Sequence, residues 1–266
     1  MDPVVGLRVV GGTDVVAEQL WEQLGALSVS RDTGGVSAWF GSRAGAEAAA
    51  EVVGGVLIEA ADDAYLDTWR EFARPTRVGR LVVRPAWVAP LDEDATVEIA
   101  IDPDHVFGHG GHPSTRLVLS ALDARLRGGE TVLDVGCGSG VLAIGAVALG
   151  ASSVVALDID PAAVATTRTN VLANGMRAHI EVSARPLAAV QRPFDVVVAN
   201  IGVVVLRELG NPLARRIAPG GWMVLSGLLD HQWEEVVDGL SDECELLEVL
   251  EEDGWAAPVL AGAVED

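Results

Sequence analysis

Lysine is absent from this 266-residue sequence. All 18 basic residues are arginines, set against 39 acids, for a net charge of −21. Beyond Arg216 no basic residue follows, only acids such as Glu234, Glu235, Asp242, Glu243, Glu245, Glu251, Glu252 and Asp253. Nucleic acid phosphates repel such a chain, so direct nucleic acid binding is not expected, while basic partners are attracted. The excess of Ala, Val, Gly and Arg also matches GC-rich coding, and acidic surfaces aid solubility, so the charge by itself names no partner. Two cysteines, Cys137 and Cys244, give no disulfide framework and suit a reducing cytoplasm, the expected location. No run of about eighteen apolar residues escapes interruption by charge, Gly or Pro, so no membrane span is expected. The opening MDPVVGLRVVGG lacks the basic region and apolar core of a secretory signal, so none is expected either.

What is present suits a packed fold. Half the residues are apolar, and the length allows two domains. Residues 1–60 read as strand, helix, hairpin, helix and strand: GLRVV, TDVVAEQLWEQLGA, LSVSRD turning into VSAWFGS, AGAEAAAEVV and VLIEA. That βαββαβ order predicts a small ferredoxin-like α+β domain. Residues 61–106 read as a linker: an amphipathic helix, DDAYLDTWREF, then two strands, RPTRVGRLVVRPAW and TVEIAID. From residue 107 to 266 strands and helices alternate, and several strands are nearly continuous apolar runs. This predicts an α/β domain with a doubly wound parallel sheet. Its last two strands flank Asp253-Gly254, a hairpin signal, so the final strand is expected to be antiparallel.

The sharpest motif is VLDVGCGSG, Val132 to Gly140. Gly136, Gly138 and Gly140 let the chain turn sharply after a strand and approach a ligand closely. A dinucleotide fingerprint would need a third glycine where Val141 stands. Asp134 beside the loop disfavours a pyrophosphate and suits a cation. The spacing therefore favours S-adenosylmethionine, which carries a sulfonium and an ammonium but no phosphate. Asp158, at the end of VVALDIDP, is placed to accept both ribose hydroxyls. Asp160 is expected to cap the following helix, with Pro161 at its first position. Asn200 ends the strand FDVVVANI, where open α/β sheets bind ligands, and is expected both to contact the cofactor and to orient an amine. APGG, at 218–221, reads as a turn. Cys137 reads as a packing residue, since no base is placed to activate it.

FGHGGHPSTR, Phe107 to Arg116, poses a separate question. His105, His109 and His112 have spacing that could hold zinc, but no Cys or further His cluster nearby, so no metal is expected.

Together these segments resemble the bacterial ribosomal protein L11 methyltransferase family. Its linker is similar to DTWREFARPTRVGRLVVRPAW, its hallmark FGTGTHPTT to FGHGGHPST, and its cofactor half to VLDVGCGSGVLAIGAVALGASSVVALDIDPAAVATTRTNVLANG. FDVVVANI, APGGWMVLSGLL and GWAAPVL also fit. The resemblance covers nearly the whole chain and is weakest over the first sixty residues. It implies a class I S-adenosylmethionine-dependent protein methyltransferase. Lysine side chains or an N-terminal amine of ribosomal protein L11, a basic partner, would be the acceptors, read by the N-terminal domain. It also implies that Phe107 to Thr115 is a lid-like segment beside the cofactor's methionine end, which adds Phe107 and Thr115 to the cofactor contacts.

The chain departs from the family pattern at His109 and Gly111, where threonines are usual, at Ser114, and at Gly202-Val203 in place of Leu-Ala. Ser183, Ala184 and Arg185 stand where an acid usually meets the adenine. His109 is a candidate for relaying the amine proton, because imidazole titrates near neutrality. Methylation of another protein or of a small amine, and a non-catalytic cofactor- or protein-binding module, stay open beside the main reading.

Overall fold

The computed structural model describes residues 5–59 except 23, 25, 27, 33 and 41, together with 74–91, 97–104, 106–240 and 244–262. It divides into two compact units, Met1–Ala73 and Arg74–Asp266.

The first unit contains β1 (Val5–Val10), α1 (Asp14–Glu22), β2 (Ser28–Asp32), β3 (Gly35–Phe40), α2 (Arg43–Val53) and β4 (Val56–Glu59). The sheet order is β2-β3-β1-β4, with every neighbouring pair antiparallel. This is the split βαβ arrangement expected of a ferredoxin-like sheet. Alternate residues of β1, namely Val5, Leu7 and Val9, pack with Val36, Ala38 and Phe40 of β3 and with Leu20, Ala46 and Ala49 of the helices. Ser42 caps α2 by accepting from the Gly45 amide at 3.1 Å. The expected linker helix lies outside the described residues.

The second unit opens with β5 (Thr76–Val78), β6 (Leu81–Pro85) and β7 (Val97–Ile101). RPTRVGRLVVRPAW is thus two strands and not the single strand expected: Gly79, at φ 54°, turns β5 back antiparallel onto β6. β6 then pairs parallel with β7. Val78, Leu81, Val83, Ile99 and Ile101 share the core of this unit.

The main sheet follows: α3 (Pro113–Arg125), β8 (Thr131–Val135), α4 (Val141–Ala148), β9 (Ser153–Leu157), α5 (Pro161–Ala173), β10 (Ile180–Ser183), β11 (Phe194–Asn200), α6 (Val203–Ala214), β12 (Ile217–Ser226), β13 (Leu228–Leu229), α7 (Trp233–Asp238), β14 (Cys244–Glu252) and β15 (Trp255–Gly262). The order is β10-β9-β8-β11-β12-β15-β13, with β14 on the other side of β15. Strands β8 to β12 are parallel, and β15 is antiparallel to both neighbours. Asp253 and Gly254 both have positive φ, 51° and 80°, which suits the two-residue hairpin turn that reverses the chain.

Both faces of this sheet are covered. Val132, Val196 and Val198 face a core shared with α3 and α4. Leu133, Val197 and Ala199 face the opposite core, with Leu206 and Leu213 of α6 and Val236 of α7. The continuous apolar runs follow from this, since successive residues point into different cores.

Two connections differ from expectation. Between β10 and β11 there is one 3-10 turn, Leu187–Ala189, where a helix was expected. Pro186 and Pro193 bound this short stretch and leave no room for an α-helix. Residues 218–221 lie within β12 and not in a turn before it, but the pairing jumps from Phe194↔Ile217 to Val196↔Trp222, so they bulge out of register.

Candidate active site

Reversal of strand order between β8 and β11 creates a switch point at the carboxyl ends of the parallel strands, where such sheets hold ligands. The glycine loop leaves β8 there, and Asn200 ends β11 beside it, with Val135 and Ala199 in register.

All three loop glycines have positive φ: 78° at Gly136, 53° at Gly138 and 83° at Gly140. At Gly138 a Cβ would also stand 2.6 Å from the Phe107 carbonyl oxygen, so glycine is required twice over. The Gly136 and Cys137 amides donate to the Leu157 carbonyl at 2.8 and 3.0 Å, which ties the loop to the end of β9. Thr167 of α5 donates its hydroxyl proton to the Gly138 carbonyl at 2.7 Å. Cys137 is buried and its thiol is pushed well up by burial and by the charge of Asp134, which suits packing and not nucleophilic attack.

Asp158 leaves β9 against this loop. Its carboxylate accepts from the Gly138 amide at 2.9 Å and from the Asp160 amide at 3.0 Å. Each oxygen keeps lone-pair capacity for a diol. Asp160 caps α5 by accepting from the Ala162 amide at 2.8 Å, with Pro161 opening the helix, as expected. The Asp158 amide reaches the Ser183 carbonyl at 3.3 Å, which brings the end of β10 to the same edge. The Arg185 guanidinium, in contrast, pairs back onto Glu181 at 3.1 Å.

Asp134 lies beneath the loop, 0% exposed, and neither carboxylate oxygen makes a hydrogen bond of normal geometry, although the Ala143 amide at the start of α4 lies close enough to favour its charged form. Burial, reinforced by the charge of Asp158, pushes its pKa up to about 7. An unpartnered buried carboxylate is costly, and a cation held above it would offset that cost.

On the acceptor side the groups around Asn200 are neutral, and the Arg116 guanidinium of α3 is paired with Glu252 and Asp253. Asn200 Nδ2 donates to Thr115 Oγ1 at 3.2 Å, which leaves Oδ1 as an acceptor. Thr115 is fully buried, so it reaches the site only through Asn200. Ser226, next to Asn200 in register, donates to the Ser114 carbonyl at 3.1 Å and holds the start of α3 to the sheet. His112 caps α3: its Nδ1 accepts from the Ser114 amide at 3.3 Å and lies 2.8 Å from the Ser114 hydroxyl. Its ring packs edge-on between Phe107 and Trp255, with centroids 5.3 and 4.6 Å away. Burial, with the nearby His109 and Arg116, pushes its pKa down to about 4, so it is neutral.

His109 is exposed, and its Nδ1 accepts from the Gly111 amide at 3.1 Å. Desolvation by the surrounding loop lowers its pKa as well. In the neutral ring the proton therefore sits on Nε2. Among the described residues no group of three or more His, Cys, Asp or Glu is arranged to hold a metal, and His105 lies outside them.

Several contributors escaped the sequence reading. Arg116 donates to both Glu252 oxygens, at 3.1 and 3.0 Å from Nε, and to the Gly111 carbonyl at 2.8 Å. It thereby ties FGHGGHPSTR to the turn before Trp255. Asn170 of α5 and Asn174, its C-cap, hold Asp102 and Ala100 through paired hydrogen bonds of 2.7–3.0 Å. Their spacing was the available signal, because asparagines four apart, one inside the helix and one at its C-cap, lie on one face.

The parallel sheet with one reversed strand, the glycine loop at its switch point and the acid at the next strand end define the class I methyltransferase architecture. A precorrin-6Y C5,15-methyltransferase structure from Geobacter metallireducens shares this fold, with TM-score 0.50 and 20% identity over 62% of this chain and 97% of that one. Residues 19–261 match the ribosomal protein L11 methyltransferase (PrmA) family, and the chain belongs to it. The ribosomal protein L11 methyltransferase of Geobacter metallireducens is 44% identical over 190 residues, 71% of this chain and 62% of that protein. That of Neisseria gonorrhoeae is 46% identical over 184 residues, 68% of this chain and 61% of that protein. The chain thus spans about three-fifths of the length of these relatives. The structure of a ribosomal protein L11 methylase from Lactobacillus delbrueckii subsp. bulgaricus aligns over 71% of this chain and 99% of its own, at TM-score 0.65 and 27% identity.

Proposed function

We propose that this chain transfers methyl groups from S-adenosylmethionine to amines of ribosomal protein L11, on lysine side chains, the N-terminus or both. The observation that carries the reading is the pairing of two carboxylates, Asp134 and Asp158, around a glycine loop that presents no cationic side chain. A pyrophosphate would be repelled there, whereas a sulfonium with an ammonium and a ribose diol fits. Family membership supports the same choice.

S-adenosylmethionine, when bound, supplies a methyl group on a positively charged sulfur that departs as a neutral thioether. The residues of this chain do the rest. Gly136, Gly138 and Gly140 shape the cradle, Asp158 accepts the ribose hydroxyls, and Phe107 closes the methionine end. Asn200, held by Thr115, accepts a hydrogen bond from the incoming amine through Oδ1 and aims its lone pair at the methyl carbon. With the cofactor held there, the amine nitrogen would take the methyl group as sulfur leaves, and the amine proton would pass to water. The chemistry needs a neutral amine in line and little else, so positioning and exclusion of water supply most of the rate. The relay role considered for His109 fits poorly, because protonating Nδ1 would cost the bond to the Gly111 amide.

In this reading residues 1–60 form the acceptor-reading domain and 107–266 the cofactor domain, while β5 to β7, expected within a 61–106 linker, belong to the core of the second unit. The acidic chain suits a basic ribosomal protein, in the cytoplasm where ribosomes work. Among the described residues no helix is long and apolar enough to cross a membrane.

Intact-mass spectrometry of ribosomal protein L11, incubated with enzyme and S-adenosylmethionine, tests the reading. Mass steps of one methylene are expected, and they should vanish with Asp158→Ala, whose cofactor affinity should fall on the order of a hundredfold. An unchanged L11 mass in a sample that binds cofactor would sink the acceptor assignment.

A further inference from the structure

Ser139, in the middle of the glycine loop, is 0% exposed and makes more bonds than packing requires. Its amide donates to the Phe107 carbonyl at 3.0 Å, and its hydroxyl donates to the Gly108 carbonyl at 2.6 Å. Its own carbonyl accepts from Asn170 Nδ2 at 2.9 Å, and its Oγ accepts from the Val141 amide at 3.3 Å. The two loops are also interlocked by shape. Gly108 has φ 112°, and a Cβ there would stand 2.6 Å from Ser139 Oγ. From the other side, a Cβ on Gly138 would meet the Phe107 carbonyl. The same Asn170 amide donates to the Asp102 carbonyl at 2.8 Å, so the approach to the loop is fastened as well.

Beyond Gly108 the chain runs through two more glycines to His112, the cap of α3, and then to Thr115, which holds Asn200. A continuous line of hydrogen bonds and short backbone therefore joins the cofactor cradle to the amine-orienting group. Ser139 is a narrow point of this line, because its side chain reaches Gly108 and its amide reaches Phe107 across the gap between the two loops.

We propose that Ser139 is a positioning residue that makes acceptor binding depend on cofactor binding, by pinning the Phe107–His112 loop to the glycine loop. The inference rests on the proposed function, because it takes the glycine loop to hold S-adenosylmethionine. When the cofactor fixes the glycine loop, the pin carries that order to Phe107 and Gly108 and sets the acceptor side. Without the hydroxyl the Ser139 amide still holds Phe107, but the bond to Gly108 is lost and each ligand reports less on the other.

The test is a pair of calorimetric titrations of ribosomal protein L11 into enzyme, with and without saturating S-adenosylhomocysteine. Wild-type enzyme is expected to bind L11 about five- to tenfold more tightly with the cofactor product present. Ser139→Ala should reduce that ratio to about two or less, whatever the change in its own affinity for S-adenosylhomocysteine. Ser139→Cys, nearly isosteric with a weak donor, should fall between them, and it carries the test alone if the alanine variant does not fold. An unchanged ratio in a variant that binds both ligands would overturn the inference and leave the proposed function standing. So would two affinities that weaken together at constant ratio, the pattern of a merely structural role. Wild-type enzyme that binds no S-adenosylhomocysteine would overturn the proposed function and the inference with it.

Discussion

The two halves of the site are made of opposite materials. On the side of β8 and β9, Asp134 and Asp158 bring negative charge to a loop held by backbone hydrogen bonds. On the side of β11 and α3, Asn200, Thr115, Ser226 and His112 are all neutral. The difference matches what each half would hold. A cationic cofactor gains from carboxylates close by. An amine acceptor must arrive without its proton, and a carboxylate beside it would favour the charged, unreactive form. A neutral amide orients the amine without raising its pKa. The low pKa of His112 keeps its Nδ1 free to accept from the Ser114 amide, so the cap on α3 is held.

Breaking the neutral half should have the largest effect. Asn200→Ala is expected to lower kcat on the order of a hundred- to a thousandfold, while cofactor affinity by calorimetry stays within about threefold. A comparable loss of cofactor affinity would show that Asn200 belongs to the charged half. Asn200→Asp sharpens the point: it should shift the pH profile of kcat upward, since a carboxylate holds the amine protonated to higher pH.

In the charged half, Asp134→Asn should separate stability from binding. The wild-type carboxyl titrates near 3.8 unfolded and at about 7 folded, so the unfolded state loses its proton first as pH rises. Its contribution to stability is full below pH 4 and declines until pH exceeds about 7. Asp134→Asn should remove this decline and raise the Tm of the ligand-free protein at pH 8, while weakening cofactor binding about tenfold. Wild-type cofactor affinity should itself rise with pH through about 7 as Asp134 ionises. A variant with unchanged Tm at pH 8 would show that a partner already compensates the charge.

The smallest effect is expected at His109. His109→Ala should keep kcat within about threefold and leave the pH profile between 6 and 8 unmoved. Loss of an ionisation from that profile would restore His109 as a proton relay.

Much of this was legible from local pattern. VLDVGCGSG, VVALDIDP and FDVVVANI each join a run of apolar strand residues to a polar end, and the parallel sheet brings those ends to one edge. Asp160-Pro161 and Asp253-Gly254 carry their turn geometry in two residues, and both are as expected. Misreadings arose where the local pattern was ambiguous. RPTRVGRLVVRPAW contains a single glycine, and only the packing of Val78, Leu81 and Val83 into one core shows it as a hairpin. APGG reads as a turn, yet β12 carries it as a bulge because Phe194 and Ile217 still pair before it.

The sequence by itself determined the fold class, the family, the glycine loop and the acid that follows it, because each is encoded within a few neighbouring residues. Tertiary structure decided what those residues meet. Thr115 holds Asn200 across 85 positions of sequence, Ser139 pins Gly108 across 31, and Arg116 reaches Glu252 across 136. Asp134 is sealed from water because strands pair with β8 on either side and the loop covers it. Local preference acts over a turn or two of chain, whereas hydrogen bonding and desolvation depend on whatever the fold brings within a few ångströms.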